Sequence, residues 1–266
     1  VIGLPRSTYY YKPRCRKCAV SNEDLLSAII LVKAEFPFYG ARRVTRELRR
    51  RDCHVGKNRV GDLMKANNLN VKPKRRYVRT TDSDHPYPVY PNLYGNVIPM
   101  KPDIVWVADI TYLELEAGFA YLAVILDACS RKVIGYAIAK RMTAELALAA
   151  LDQAIAARKP KPGSCIHHSD RGVQYASNAY RKALADHGLV GSMSSIANPY
   201  HNAQAESFMK TLKVEEVYPA RYRTYEDVLD RLPHFIENVY NAKRLHSALG
   251  YLSPQEFEHQ LAQEAA

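Results

Sequence analysis

Ile104-Val105-Trp106-Val107-Ala108-Asp109-Ile110-Thr111-Tyr112-Leu113 is the stretch on which the fold turns. It is rich in β-branched and aromatic residues and apolar on both alternating faces, as a central strand covered on both sides must be. One residue breaks the pattern. A lone carboxylate in such a strand is costly to desolvate unless something pairs with it, so Asp109 is the first candidate for chemistry.

Downstream, Phe119 to Ala128 and Lys132 to Ala139 read as two more strands. The short connections Glu114 to Gly118 and Cys129-Ser130-Arg131 predict an antiparallel meander. Thr143 is placed to cap a helix running to Arg158, with Leu146, Ala147, Ala150, Leu151 and Ile155 at helical spacing. Cys165-Ile166-His167-His168-Ser169-Asp170 reads as a fourth strand with an acid at its end. A helix from Ser177 to His187, a fifth strand from Leu189 to Met193 and a helix from Asn202 onward complete the series. Three antiparallel strands followed by alternating helix and strand predict an α/β domain of ribonuclease-H-like layout.

Upstream the composition changes. Pro86, Pro88, Pro91, Pro99 and Pro102 punctuate tyrosines and polar residues, which predicts a semi-extended linker. Before it lie three helical patterns: Asp24 to Lys33, Ala41 to Arg50, and Asn58 to Lys65 with Asn58 as N-cap. Helix, Gly-containing turn and helix is a helix-turn-helix layout, whose second helix enters a major groove. A small helical bundle with a basic surface fits the same pattern. The predicted organisation is therefore a basic segment over 1–20, a helix-turn-helix-like domain over 21–79, a linker over 80–103, the α/β core over 104–220 and a helical tail over 221–266.

Charge follows this division. The 266 residues carry a net +11, but residues 1–80 hold 20 Lys+Arg against 6 Asp+Glu, while residues 81–266 hold 18 against 21. A basic arm thus precedes a slightly acidic body, and the expected partner is a polyanion, nucleic acid first. With 47% hydrophobic and 24% charged residues the chain is neither disordered nor fibrous, and no run approaches the roughly 18 apolar residues of a membrane span. Its start lacks a signal peptide's layout and an initiator Met, so the expectation is a cytoplasmic protein, nucleoid-associated if it binds DNA, and the remainder of something longer. Five Cys at irregular spacing suit a reducing compartment. Cys15-x-x-Cys18 has half-site zinc spacing, but the second pair a zinc site needs is missing around Cys53-His54.

Asp170 and Glu206 join Asp109 as candidates. In the predicted layout the first and fourth strands are neighbours and a late helix packs across them, so the three side chains are placed to converge. Glu206 is flanked by the small residues Ala203, Ala205 and Ser207. Three hard oxygen donors without His or Cys suit Mg2+ or Mn2+, and two such ions about 3.5–4 Å apart clamp both oxygens of an in-line phosphoryl transfer. On a helix Lys210 and Lys213 share the face of Glu206, with Phe208 and Leu212 opposite. That stripe predicts metal at one end and DNA backbone at the next turns; a surface pair between Glu206 and Lys210 is the plainer reading. His168 reads first as a histidine hydrogen-bonded within its strand, and second as a support for water or phosphate near Asp170. In the arm, Lys57, Asn58, Arg59 and Lys65 are the expected recognition-helix residues. Arg42 and Arg43 are expected on phosphates, and Lys72-Pro-Lys-Arg-Arg76 along the backbone.

Trp106-x-x-Asp109-Ile-Thr-Tyr, His168-Ser-Asp170-Arg-Gly-Val-Gln-Tyr175 and Asn198-Pro-Tyr-His-Asn202-Ala-Gln-Ala-Glu206-Ser-Phe together resemble the DDE motif of bacterial insertion-sequence transposases with a retroviral-integrase-type core. Thirty-five residues separate Asp170 from Glu206, the spacing of that group. Tyr240-Asn-Ala-Lys-Arg-Leu-His246-Ser-Ala-Leu-Gly-Tyr-Leu-Ser-Pro254 resembles its C-terminal segment, and Tyr39-Gly-Ala-Arg-Arg-Val its helix-turn-helix-like region. The chain is similar to the second reading-frame product, OrfB, of elements whose full transposase joins OrfA to OrfB by frameshifting.

The resemblance implies Asp109, Asp170 and Glu206 as a catalytic triad holding two Mg2+ or Mn2+ ions, Asn202 as a supporting residue, and Lys213 as the basic residue seven places after the Glu. It implies double-stranded element ends and target DNA as substrates, a homo-oligomeric synaptic complex, and OrfA as fusion or partner. His201 stands where the family commonly has Asp, and Leu245 where Pro is common; neither is an implied metal ligand. Three functions follow: a transposase that nicks and joins, a ribonuclease-H-like nuclease that only cleaves, and a DNA-binding regulator inactive without OrfA. The basic arm and the integrase-like spacing favour the first.

Overall fold

The computed structural model describes residues 20–71, 88–95, 97–116, 118–194 and 202–264. Cys15, Cys18, the 72–76 basic stretch and His201 lie outside them. The chain divides into two compact units, residues 1–74 and 75–266.

In the first unit, α1 (Asn22–Glu35) starts where Ser21 Oγ accepts the backbone N–H of Asp24 at 3.0 Å, and α2 (Ala41–Arg50) and α3 (Lys57–Ala66) follow. Leu25, Ile29, Val32, Val44, Leu48, Val60 and Met64, spaced at helical intervals, are fully buried between them. Phe36 and Tyr39 stack at 4.6 Å in the connection from α1 to α2. The third helix begins two residues earlier than an Asn58 cap implies. Gly56, extended and without a side chain, is the N-cap, and Asn58 lies in the first turn.

The second unit is built on one five-stranded sheet in the order β3-β2-β1-β4-β5. β1 (Val105–Leu115), β2 (Gly118–Asp127) and β3 (Val133–Ala139) form the antiparallel meander. β4 (Ile166–Ser169) joins β1 in parallel, and β5 (Val190–Met193) joins β4 in parallel. α4 (Ala144–Arg158) packs on β3 so closely that a Cβ at Gly135 would meet the Ala150 carbonyl oxygen at 2.3 Å. After β4 come a single turn, α5 (Val173–Ala176), which the sequence pattern missed, and α6 (Asn178–Asp186), capped by Ser177. α7 (Ala203–Leu212) continues as a π-helical stretch, Lys213–Val217. α8 (Tyr225–His234) likewise continues as Phe235–Asn241, and α9 (Pro254–Glu264) ends the described chain.

The alternation in β1 sorts the core into two layers. Trp106 and Ala108 face a layer with Leu146, Ala150, Leu151, Tyr175 and Tyr180, from α4, α5 and α6. Val105, Val107 and Leu113 face the other layer, with Phe208 and Leu212 of α7 and Val228, Leu232, Ile236 and Tyr240 from beyond residue 220. The residues after 220 thus share a core with the sheet.

The described part of the proline-rich stretch lies along β5. Leu93 N donates to Ser192 Oγ at 2.9 Å, and a Cβ at Gly191 would sit 2.6 Å from the Tyr90 ring. No helix among the described residues is long and apolar enough to cross a membrane.

Candidate active site

Parallel pairing sets the first two acids. Val105 stands opposite Ile166, and Val107 opposite His168. Carrying that register two residues forward brings Asp170, just past the end of β4, level with Asp109. The ladder stops at this point, so β1 runs on beside β2 alone while β4 gives way to a turn. This parting of two parallel strands at their carboxyl ends is where α/β sheets place ligands. Asp109 is odd-numbered in β1 and belongs to the face covered by α7, where Glu206 occupies the first turn.

Each carboxylate is held locally. Ile110 N donates to Asp109 Oδ1 at 2.9 Å, and Gly172 N donates to Asp170 Oδ1 at 2.9 Å. A Cβ at Gly172 would lie 3.0 Å from that same oxygen, so a glycine leaves the turn room to close. Burial pushes the Asp109 carboxyl up to about 8, and the negative charges of Asp170 and Glu206 add to the rise; the Ile110 N–H and the Lys213 ammonium oppose it. Burial also raises Glu206, whose residue is nonetheless exposed. Among the described residues, no three His, Cys, Asp or Glu side chains gather closely enough to hold one ion. The register sets Asp109 and Asp170 level and their charges interact, while Glu206 acts on Asp109 through its charge without closing a three-sided cage. Like charge without a counterion favours such separation.

Lys213 sits half-buried with Nζ 4.4 Å from the centroid of the Tyr112 ring. Burial lowers its pKa, against the pull of the Asp109 charge. Lys210 is exposed, and no ion pair joins it to Glu206. His168 is buried, with Nδ1 2.9 Å from Ser192 Oγ and Nε2 3.1 Å from Ser194 Oγ. Its ring holds β4 to the end of β5, so its partners lie on and just past the neighbouring strand rather than within its own. Asn202 is buried beside β1, donating from Nδ2 to the Ala108 carbonyl at 3.1 Å, and its Oδ1 has no hydrogen-bond partner.

Two features escaped the sequence reading. Tyr175 is buried with an unpartnered hydroxyl, and its pKa is driven far up by burial, then by Tyr180 and by the charges of Asp109 and Asp170. The quoted Asp170 motif ends on this tyrosine, which was its only signal. The second feature is the Tyr240 to His246 segment, quoted as a motif without a role. Arg244 forms a two-pronged ion pair with Glu215, at 2.8 Å for each contact.

In the first unit, Arg42, Lys57, Asn58 and Lys65 are exposed. Arg43 is half-buried, its guanidinium 5.5 Å from the Tyr39 ring centroid. Arg59 donates to Asn22 Oδ1 at 2.7 and 3.0 Å and to the Val20 carbonyl at 2.9 Å. That guanidinium ties α3 to the start of α1.

The integrase core domain family matches residues 99–199, a second integrase core family matches 187–254, and the HTH-like domain family matches 21–77. The chain is 38% identical to the 31 kDa protein of insertion element IS600 from Shigella sonnei, covering 100% of this chain and 99% of that protein. It is 39% identical to the transposase InsF of IS3A from Escherichia coli K12, covering 83% of this chain and 76% of InsF. Among solved structures, a chain of the simian T-cell lymphotropic virus intasome in complex with the PP2A regulatory subunit B56 gamma aligns with a TM-score of 0.50. At 16% identity, covering 87% of this chain and 74% of that one, it shares the fold.

The α/β unit is thus an integrase core of ribonuclease-H-like fold, preceded by an HTH-like helical unit. The chain belongs to the insertion-sequence transposases, the family of InsF, and is a DNA transposase.

Proposed function

We propose that Asp109, Asp170 and Glu206 hold two divalent cations, Mg2+ or Mn2+, and that the protein uses them to nick element ends and join the freed 3′-hydroxyl to target DNA. The supporting observation is the β1–β4 register, which sets Asp170 level with Asp109 in a chain belonging to a transposase family. The residues fit the ions: the donors are hard oxygens, and the Asp109 carboxyl is raised to about 8 by burial and by the charges of Asp170 and Glu206. Asn202 adds a buried oxygen with no other partner. Bound there, the cations would neutralise the scissile phosphate and lower the pKa of the attacking hydroxyl.

The remaining steps belong to the chain. In nicking, a water oxygen forms a bond to phosphorus as the P–O3′ bond breaks, and the 3′-oxygen leaves with a proton. In joining, that 3′-hydroxyl attacks a target phosphodiester in line and displaces a second 3′-oxygen, which leaves with the proton the attacking hydroxyl gives up. Lys213 and Lys210 extend from the active-site helix toward the DNA backbone. Arg42, Lys57, Asn58 and Lys65 supply the exposed polar and basic surface of the HTH-like unit, with Arg43 beside them. Arg59 contributes by fixing α3. The working assembly is a homo-oligomer that brings two ends together, with OrfA as fusion or partner.

The test incubates the protein and labelled element-end DNA with Mg2+ or Mn2+, wild type beside Asp170→Asn. Joined products from wild type alone support the proposal. Cleavage without joining points to a nuclease, and binding without cleavage to a regulator.

A further inference from the structure

The helix that carries Glu206 is gripped from behind. Phe208, two residues on, falls about 200° round the helix from Glu206, and Glu215 lies in the π-helical stretch that continues it. Both are held by the segment around residues 240–246. Arg244 Nε and Nη2 donate to the two carboxylate oxygens of Glu215 at 2.8 Å each, and the two side chains are only 6% and 13% exposed. The Tyr240 ring meets Phe208 edge-on at 4.8 Å, and His246 backs Tyr240 at 5.0 Å.

The grip is referenced to the sheet. Asn241 Oδ1 accepts the Val133 N–H at 2.9 Å, and its Nδ2 donates to the Val133 carbonyl at 2.8 Å, so a side-chain amide pairs with β3 as a strand backbone would. An unbroken set of contacts therefore runs from β3 through Asn241, Tyr240 and Arg244 to the back of α7. Glu215 lies in one π-helical stretch and Tyr240 and Asn241 in another; such turns are uncommon and concentrate at functional sites.

We propose that Arg244 and Tyr240 are positioning residues that set the rotation of α7, and with it the direction in which Glu206 meets Asp109 and Asp170. This inference rests on the metal-site reading given above. A slip of one residue in the helix turns Glu206 by about 100°, enough to turn it away from Asp109, on which its charge acts. A buried ion pair contributes little net stability, since desolvation offsets attraction, but its two-pronged geometry admits one orientation. Lys at position 244 keeps the charge and loses that geometry, which separates orientation from stability.

The experiment uses the full chain with Arg244→Lys, Arg244→Gln and Tyr240→Leu. Mn2+ affinity is read from the free-ion paramagnetic signal, beside the melting temperature in EDTA and the end-cleavage rate. The expected result for Arg244→Lys is a melting temperature close to wild type with Mn2+ affinity about ten-fold weaker and cleavage reduced in step. Tyr240→Leu shifts Mn2+ affinity in the same direction and serves where Arg244→Gln fails to fold. Folded Arg244→Lys and Tyr240→Leu proteins with Mn2+ affinity within about two-fold of wild type overturn the positioning role alone. A wild type that binds no Mn2+ overturns the metal-site reading and the positioning role with it.

Discussion

The sheet carries acids at two places; burial raises the carboxyls of Asp127 and Asp109 alike, but the hydrogen bonds and cations around them differ. At the end of β2, opposite Trp106 of β1, Asp127 is fully buried yet accepts hydrogen bonds from Asp103 N, Cys129 N, Ser130 N and Ser130 Oγ. Its neighbour Glu258 is paired with Arg158 and with Lys132, the latter at 3.1 Å. Burial works to raise Glu258, but hydrogen bonds from Arg158 and Ser130 and the two cationic charges outweigh it and hold the carboxyl below its ordinary value. Three residues further along β1 from Trp106, Asp109 has one backbone donor, two like charges against the single cation of Lys213, and a carboxyl raised to about 8. The first cluster is complete within the protein and fastens α9 to the sheet. The second is short of positive charge, as a cation-binding site is before the cation arrives.

Substitutions should separate the two. Asp109→Asn or Asp170→Asn is expected to lower end cleavage and joining about 10³-fold or more without lowering the melting temperature, since each removes repulsion. A thermal shift assay beside a cleavage gel reads both quantities, and a fall in melting temperature would blur the contrast. Asp127→Ala is expected to do the reverse. Three orphaned backbone donors, Asp103 N, Cys129 N and Ser130 N, should cost about 3 kcal/mol of stability in urea unfolding, while the Ser130 hydroxyl keeps its bond to Glu258 and the folded fraction cleaves at the wild-type rate.

Smaller effects sharpen the comparison. Lys213→Ala should weaken binding to element ends about ten-fold and reduce the salt slope by about one, with Mn2+ affinity unchanged. Fluorescence anisotropy across a salt series checks this, and an unchanged affinity removes the lysine from the DNA surface. A separate readout is pH. In the fold Asp109 titrates near 8 against an ordinary 3.8, so the cation-free fold retains a proton that the unfolded chain releases. Stability from this group is full below about 4 and is lost as pH rises toward about 8. Melting temperatures in EDTA should decline across that window more steeply for wild type than for Asp109→Asn.

The sequence discloses these two regions unequally, for physical reasons. Asp109 stood out because an acid in an apolar strand violates the expected pattern, and β1 to β5 were legible because alternation and short connections define strands. The β1–β4 register is a long-range pairing that no local pattern encodes, so the level placement of Asp109 and Asp170 required the fold. Asn58 has the chemistry of a cap, but Gly56 precedes it and already adopts the extended conformation, which starts the helix earlier. Arg59 was placed on DNA by its charge; its bonds to Asn22 and Val20 depend on how α1 and α3 pack. Likewise the pairing of Arg244 with Glu215 spans 29 residues and is invisible to any periodicity.

Mn2+ binding to wild type, Asp109→Asn and Asp127→Asn at neutral pH tests the contrast most directly. Wild type and folded Asp127→Asn should bind with the same affinity, and Asp109→Asn should bind at least about ten-fold more weakly. Equal binding by wild type and Asp109→Asn, or loss of binding in folded Asp127→Asn, would contradict the assignment of the two clusters.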